Sequence, residues 1–586
     1  MDSHPNGDIS LSNGCISGLN IVNWAVKIAH SLGKAWIPRG SDLKLLYRAM
    51  STATFAPAPP ERFTIVQPKT THTGAPIRPL PKGLPKTTQS LCPECSALIE
   101  ARIREDRGRV VMEKSCPEHG AFRDVLSSDV RLYLKMEEWS FGDGRGVTNP
   151  TVVEAKRCPE DCGLCSMHTS HSGLANLDLT NRCNLTCPVC FANANTAGYV
   201  YEPSLDQVRG MLQTLRDEKP VAGRIVQFSG GEPTVYPQFL EALSAARELG
   251  FSHIQVATNG IRFAEPEFAQ QAKEAGLHTL YLQFDGVTDD VYLRTRGRRL
   301  AELKSRAIEN VRKAGMKICF VPTIVKGVND HQVGDILRVA LDNIDVVSAI
   351  SYQPVAFTGR IARAELESKR FTLADFAHAV HRQTGICDPY EDWFPLACVT
   401  PFSKLLSALR GELTTHLSCH PQCSLGTYLF VSRSGEAVPV TRFADIGAML
   451  CEMDALSRKV ETQRIKMFSK ISAWNVLRKH FHENRAPEGL TFNKFLQTLQ
   501  GLTDKRYGRG ESEQEGFTFK TLMVAGMHFM DHYNYDVERV KRCVIHYAAP
   551  DGRIYPFCAY NGGPTFRERI EKQYSTPLAE KQATLA

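Results

Sequence analysis

The chain has 586 residues, 42% of them hydrophobic and 23% charged, with a formal net charge of +7. That balance fits a globular protein longer than one ordinary domain. No apolar run reaches the roughly 18 residues of a spanning helix, and no basic stretch leads into an apolar one near Met1, so a cytoplasmic protein is expected. The modest positive charge is compatible with an anionic surface and selects none. Most of the 18 cysteines fall in short-spaced sets. In a reducing compartment that favours metal ligation over disulfides.

Residues 1–15 are rich in Gly, Asn and Ser and read as disordered. Residues 16–36 set Ile21, Val22, Trp24, Ile28 and Leu32 beside Lys27 and Lys34. This is the pattern of a short amphipathic helix, packed on the body or on a membrane surface. Residues 53–90 are rich in Pro and Thr, as an extended linker is. The first metal pattern follows in Cys92-Pro-Glu-Cys95 and Cys116-Pro-Glu-His119. Four such ligands suit a tetrahedral zinc or a mononuclear iron in a closed, structural site. The spacing leaves open whether His119 or a further cysteine is the fourth ligand.

Cys158, Cys162 and Cys165 have C-x3-C-x2-C spacing, and Cys183, Cys187 and Cys190 repeat it. Three such thiolates hold three corners of a [4Fe–4S] cube and leave one iron open to chemistry. Only the second copy follows a strand signal, the alternating Leu177 and Leu179. From about 172 to 385 strands and helices alternate. Strands are expected at Ala175–Leu179, Arg224–Phe228, His253–Ala257, Thr279–Phe284, Lys317–Ile324 and Val346–Gln353. Helices are expected at Leu205–Asp217, Pro237–Glu248, Pro266–Ala275, Ala301–Ala314 and His331–Asp342. This run of βα units predicts an α/β fold with a partial or complete parallel barrel. The expected divisions are 1–90, 91–171, 172–385 and a Cys-rich, partly helical 386–586.

Ser229-Gly230-Gly231-Glu232-Pro233 directly follows the second expected strand. Paired glycines admit a ligand close to the backbone, and Glu232 adds charge at a strand's carboxyl end, where barrels place their chemistry. Thr258-Asn259-Gly260 ends the third strand, and Gln283-Phe284-Asp285-Gly286 ends the fourth. With Cys183, Cys187, Cys190 and the following aromatic Phe191, these motifs resemble the radical SAM superfamily. The resemblance implies that an open iron on those three cysteines chelates S-adenosylmethionine (SAM). It implies that Gly230, Gly231, Glu232 and Pro233 receive the methionyl amino group, and Thr258, Asn259 and Gly260 the ribose. Phe191, Gln283 and Asp285 resemble further SAM- or substrate-facing positions. The implied chemistry is reductive cleavage of SAM to methionine and a 5′-deoxyadenosyl radical, which takes hydrogen from an unactivated C–H bond. A reductant such as ferredoxin or flavodoxin is the implied partner.

Cys158, Cys162 and Cys165 have neither the preceding strand nor the Gly-Gly-Glu-Pro turn, so they read as part of an auxiliary cluster, with zinc as the alternative. Cys387, Cys398, Cys419, Cys423, Cys543 and Cys558 bring that set to nine thiols, enough for two auxiliary [4Fe–4S] clusters and one over. Cys15, Cys319 and Cys451 stand alone and read as ordinary thiols.

Over roughly 90–565 the order of features resembles one radical SAM branch in particular. It runs from a rubredoxin-like Cys92–His119 module through both cysteine triplets to Pro556-Phe-Cys-Ala-Tyr-Asn561. The branch includes tetraether, or membrane-spanning, lipid synthases, and relatives described as methylases of a pterin precursor. The resemblance implies C–C joining of two lipid chains, with pterin methylation as the alternative. A lipid needs a long apolar channel, and a pterin a compact polar pocket. Residues 451–510 carry twelve Lys and Arg and an apolar set of Met467, Phe468, Ile471, Trp474, Val476, Leu477 and Phe481. A basic amphipathic helix suits an anionic lipid headgroup and peripheral contact at the inner membrane face, and it equally suits a solvated helix with a core face. No nucleic-acid motif accompanies it, and no nucleic acid is expected.

Overall fold

The computed structural model describes residues 80–578 except 142–143, 145, 360–365, 412, 433, 463–466, 497–519 and 563–565. The helix expected at 16–36, Cys15 and most of the expected linker lie outside these residues.

An antiparallel sheet comes first: β1 (Lys86–Leu91), β2 (Leu98–Asp106), β3 (Arg109–Cys116) and β4 (Gly120–Ser127), in that order. β1 begins inside the stretch expected as linker. It alternates half-buried and exposed residues from Lys86 to Gln89 and ends on buried Ser90 and Leu91, paired with β2 from Lys86↔Ile103 to Leu91↔Leu98. The surrounding Pro and Thr hid that short alternation.

The expected parallel strands are present as β5 (Leu174–Thr180), β7 (Ile225–Gly230), β8 (His253–Thr258), β9 (Thr279–Gln283), β10 (Lys317–Val321) and β12 (Val347–Pro354). Two short strands, β6 (Tyr199–Tyr201) and β11 (Thr323–Ile324), intervene. The six lie side by side with parallel pairing. Residues on both faces are apolar, as helix-covered parallel strands require: Ile225, Val226, Phe228, Ile254, Val256, Leu280, Leu282, Ile318 and Phe320 are buried. The helices Leu205–Arg216, Phe239–Glu248, Pro266–Ala275, Ala301–Lys313 and Val333–Asp342 keep close to the expected bounds. A Ser204/Gln207 capping box fixes the start of the first. Within 172–385, two further helices of eight residues or more, Asp289–Arg296 and Leu373–Thr384, were not expected.

The C-terminal region enlarges this sheet from both ends. β13 (Ser424–Val431) pairs with β14 (Ala437–Pro439) and antiparallel with β15 (Lys520–Met527), which lies parallel beside β12. The next strand, β16 (Ile545–Ala548), lies parallel beside β5 and pairs with β17 (Ile554–Pro556). Strands consecutive in sequence thus flank the barrel on opposite sides, and residues 528–544 cross between them. β14 and β17 end the sheet, so the barrel is partial. A last strand, β18 (Ser575–Pro577), pairs with β6.

The antiparallel sheet is docked on the crossing segment. Ser90 Oγ donates to Tyr535 O at 2.6 Å, Thr88 Oγ1 to Asp536 Oδ1 at 2.7 Å and Lys114 Nζ to His532 O at 2.5 Å. Buried Arg370 bonds Asp124 of β4 and Asp531 of the crossing at 2.5 and 2.8 Å. Removing either acid would leave a buried charge underpaired, which costs more than the intact cluster gains.

In the basic segment, Arg458 pairs with Asp454 and Lys479 with Glu452, which offsets part of the charge expected to face a membrane. On the helix Met467–Lys479, Ile471 and Trp474 are exposed while Leu477 is buried, and buried Phe481 lies beyond its end, so the expected stripe does not form one continuous face. Among the described residues no helix is long and apolar enough to cross a membrane.

Candidate active site and metal centres

Cys183, Cys187 and Cys190 lie on the loop after β5. Asn195, at a φ of 67°, clamps that loop: its Oδ1 accepts from Cys183 N at 2.9 Å, and its Nδ2 donates to Cys183 O and Leu185 O at 2.9 and 3.2 Å. Leu185, Tyr292 and Leu300 pack around the thiols. Backbone N–H groups of Leu185 and Ala194 point at Cys183 Sγ and Cys190 Sγ, each at 3.4 Å. Burial pushes the Cys183 thiol up to about 12, with Glu232 adding to the effect, so a cation is needed beside it to hold the thiolate. Three soft donors with oriented N–H groups in an apolar hollow fit three corners of an iron–sulfur cube.

The turn after β7 is pressed against this loop. A Cβ on Gly230 would lie 2.3 Å from Thr180 O, and one on Gly231 would lie 2.3 Å from Arg182 O. Both positions therefore require glycine. Gly231 N and Glu232 N donate to Thr180 O and Arg182 O at 2.7 and 2.9 Å. Glu232 is 1% exposed, and its carboxylate ties the turns after β7 and β8 together. It accepts from Thr234 Oγ1 at 2.6 Å, Thr258 Oγ1 at 2.7 Å and Asn259 N at 2.8 Å. Burial pushes its carboxyl above the usual range. Asn259 Nδ2 in turn reaches Asn184 Oδ1, beside Cys183, at 2.7 Å.

These turns open on a cavity of about 420 Å³. Its wall includes Cys183, Cys187, Cys190, Phe191, Gly230, Gly231, Glu232, Thr258, Asn259 and Gln283. Three expected positions are not on it. Pro233 heads a short turn, Gly260 N donates to Thr258 Oγ1 at 3.0 Å, and Asp285 is held by Arg296 Nε at 2.5 Å. Their contacts brace the wall. Phe191 stacks on Phe557 at 5.4 Å between centroids, which joins the cysteine loop to the C-terminal region.

Several residues of this site escaped the sequence reading. Lys304, 1% exposed on a helix, donates to Asn259 O at 2.6 Å and Gln283 Oε1 at 3.0 Å. Burial pulls its ammonium down to about 7. Arg296 lines the cavity between Asp285 and the cysteine loop. Arg567, from the last helix, pairs with Asp178 of β5 and also lines the cavity. A lysine or arginine in a helix carries no local signal that it will turn inward, so only the tertiary arrangement identifies it.

The cavity has two chemical halves. Across the sheet, Gln227 Nε2 donates to Asn176 Oδ1 at 2.7 Å and Gln255 Nε2 to Gln227 Oε1 at 2.6 Å, an amide row that leaves Gln255 Oε1 buried without a partner. Beyond it the wall is apolar, with Phe402, Leu417, Leu450, Leu477, Phe495 and Met523.

In the antiparallel sheet, Cys92, Cys95, Cys116 and His119 bring one ligand atom each to within 4.8 Å of one another. His119 Nδ1 is 3.5 Å from Cys116 Sγ and 3.8 Å from Cys92 Sγ, so His119 completes this set. Its imidazole holds the Cys116 thiol down to about 6. The set fits a closed tetrahedral zinc. Of the other expected ligands, Cys158, Cys162, Cys165, Cys419, Cys423, Cys543 and Cys558 gather near the crossing segment. Cys398 lies on the apolar cavity wall. Cys387 is buried in the main core, with Asp392 and Arg442 rather than other thiols as its electrostatic neighbours.

Residues 177–340 match the family model of the radical SAM superfamily, and residues 84–128 match that of the HMPTM N-terminal zinc ribbon domain. The chain is 42% identical over 502 residues to the 7,8-dihydro-6-hydroxymethylpterin dimethyltransferase of Methanocaldococcus jannaschii, an alignment covering 84% of this chain and 96% of that protein. Over 151 residues it is 31% identical to the Fe-coproporphyrin III synthase of Methanosarcina barkeri, covering 25% of this chain and 36% of that one. It also aligns with Streptococcus suis SuiB bound to S-adenosylmethionine at a TM-score of 0.30 and 18% identity, over 37% of this chain and 47% of that one. The cysteine loop and the Gly-Gly-Glu-Pro turn fall within the first family match, and the ribbon within the second. The chain belongs to the radical SAM superfamily and, within it, to the family of the M. jannaschii 7,8-dihydro-6-hydroxymethylpterin dimethyltransferase.

Proposed function

We propose that this enzyme methylates a reduced pterin of the 7,8-dihydro-6-hydroxymethylpterin class by radical chemistry. Support comes from the 42% identity to a relative of that name, which reverses the order of the two readings drawn from the motifs. The observation that carries it is the unpartnered Gln255 Oε1 in the amide row on the cavity wall. A buried amide oxygen needs a donor, and a pterin offers ring and amino N–H groups along one edge.

A [4Fe–4S] cluster on Cys183, Cys187 and Cys190 would supply the electron that splits SAM. Around it the chain's own groups hold geometry. Asn195 fixes the loop, Glu232 locks the turns after β7 and β8, and Lys304 anchors the Asn259 carbonyl and the Gln283 amide. The enclosed apolar wall excludes water that would quench a radical. A small reductant such as ferredoxin or flavodoxin completes the reaction.

One observation favours the second reading, joining of lipid chains. The apolar half of the cavity gives a pterin nothing to bond, whereas a hydrocarbon chain would bury against Phe402, Leu450 and Phe495. Each buried CH₂ contributes roughly 0.8 kcal/mol. The experiment is anaerobic incubation of the reconstituted enzyme with SAM, dithionite and either the dihydropterin or lipids deuterated at the terminal methyl. Methylated pterin with no label in 5′-deoxyadenosine supports the first reading. Deuterium in 5′-deoxyadenosine and an unchanged pterin would replace it with the second.

A further inference from the structure

The amide row on the cavity wall has a direction, and one backbone group sets it. Asn176 of β5 donates through Nδ2 to the carbonyl of His546 on β16 at 3.2 Å. A carbonyl only accepts, so the Asn176 amide must turn its NH₂ to His546 and its oxygen to the next residue in the row. Gln227 of β7 donates to that oxygen at 2.7 Å, and Gln255 of β8 donates to the Gln227 oxygen at 2.6 Å. Each amide has one orientation left once its predecessor is set. The row therefore ends in an oxygen, Gln255 Oε1, and not in an NH₂ group.

Strand register keeps the three amides level. Asn176 pairs with Gln227 across β5 and β7, and Gln227 with Gln255 across β7 and β8. Side chains of paired residues share a face, and all three belong to the cavity wall. Asn176 and Gln255 are fully buried, and Gln227 is nearly so. Successive hydrogen bonds of one direction polarise each other, which strengthens the last oxygen as an acceptor. That oxygen is buried without a partner. An occupant that brings an N–H or O–H to it gains a bond. One that brings a carbonyl or a ring lone pair leaves two acceptors facing each other.

We propose that Gln255 Oε1 accepts from the exocyclic amino group of the pterin, and that Asn176 and Gln227 are positioning residues that hold Gln255 in its acceptor orientation. The assignment rests on the pterin reading and names the contact within it that decides specificity. The acceptor is recessed in the wall. An amino group projects beyond the outline of its ring and reaches such an atom, whereas a ring N–H lies within that outline. The row thus selects an amino-bearing ring over one of the same shape that carries a methyl group there.

The test is anaerobic equilibrium dialysis of the full-length, reconstituted protein, with SAM present, against two ligands of equal size. One is 7,8-dihydro-6-hydroxymethylpterin, and the other is its analogue with a methyl group in place of the exocyclic amino group. The wild type should bind the amino compound about tenfold more tightly or better. Gln255→Leu should bind the two alike. Asn176→Leu, which keeps Gln255 but frees the row to reverse, should narrow the preference, with iron content equal to the wild type in both variants. Equal binding of the two ligands by the wild type would overturn the inference and leave the pterin reading standing, and this comparison needs no variant to fold. Binding of neither ligand would overturn the pterin reading and the inference with it. A full wild-type preference in Asn176→Leu would overturn the positioning role of the row.

Discussion

The ribbon and the barrel loop hold their cysteines in opposite ways. In the ribbon, four ligand atoms on two turns of an antiparallel sheet already lie within 4.8 Å of one another. The hairpin pairing that builds the sheet builds the site, and it closes around one ion. On the barrel loop, three cysteines are held by Asn195, by the Asn259–Asn184 bond and by close glycine contacts from other turns, and the space where a fourth ligand would stand is the cavity. Similar thiols thus give a closed structural centre and an open reactive one. The difference lies in whether local pairing or distant turns fix the geometry.

The sharpest way to break that comparison is to remove the open site alone. Replacing Cys183, Cys187 and Cys190 together with Ala should abolish 5′-deoxyadenosine formation, measured by chromatography, with ribbon zinc unchanged. Residual cleavage at the wild-type rate would mean that the open site lies elsewhere.

The reciprocal change is Cys95→Ser with Cys116→Ser. Zinc content should fall to zero and stability by several kcal/mol, since binding free energy at a structural zinc is on the order of 10 kcal/mol. SAM cleavage should persist at low temperature. Because the ribbon rests on residues 532–536, hydrogen exchange there should quicken more than around Cys183.

A third prediction concerns acid–base linkage beneath the barrel. Glu218 accepts from Ser172 N at 2.7 Å, and burial raises its carboxyl to about 7. The folded state therefore holds a proton that the unfolded chain releases near pH 4.5. Stability should fall as pH rises through that window, by about 3 kcal/mol in all. Denaturation of Glu218→Gln across pH 4.5–7 should show the slope flattened, and an unaltered slope would refute the assignment.

The smallest effect is expected at Lys304. Lys304→Met should weaken SAM binding about tenfold, roughly 1.4 kcal/mol, through the freed Asn259 carbonyl and Gln283 amide. Cluster content should not change, and equilibrium dialysis with labelled SAM measures the difference.

The local part of this molecule was legible in its sequence. Leu177 and Leu179 announced β5, Gly230-Gly231 announced a close backbone approach, and Cys92–His119 announced a metal, because each signal acts within a few residues. What could not be read is what distance assembles. The run Lys520–Met527 has no alternation to mark it as the barrel's seventh parallel strand, and Ile545–Ala548 is too short to stand out. Lys304 carries no local sign that the barrel turns it inward, and Arg296 lies on a helix that the pattern does not show. The Asp285 ion pair could not be read either, because its partner Arg296 lies eleven residues away on a helix the pattern did not reveal.

The placement of β15 and β16 carries a consequence for biosynthesis. The six central strands leave the ribosome by residue 354, but the two that flank them are not complete until residue 548. Until residue 527 the nascent barrel lacks both outer walls, and until residue 548 it lacks one, with its two cysteine triplets already made. Metal delivery to those triplets has a period of open access that ends only when the crossing segment is drawn over. A chain released before that point would keep its inner strands and leave its apolar interior bare, a ready substrate for chaperones and proteases.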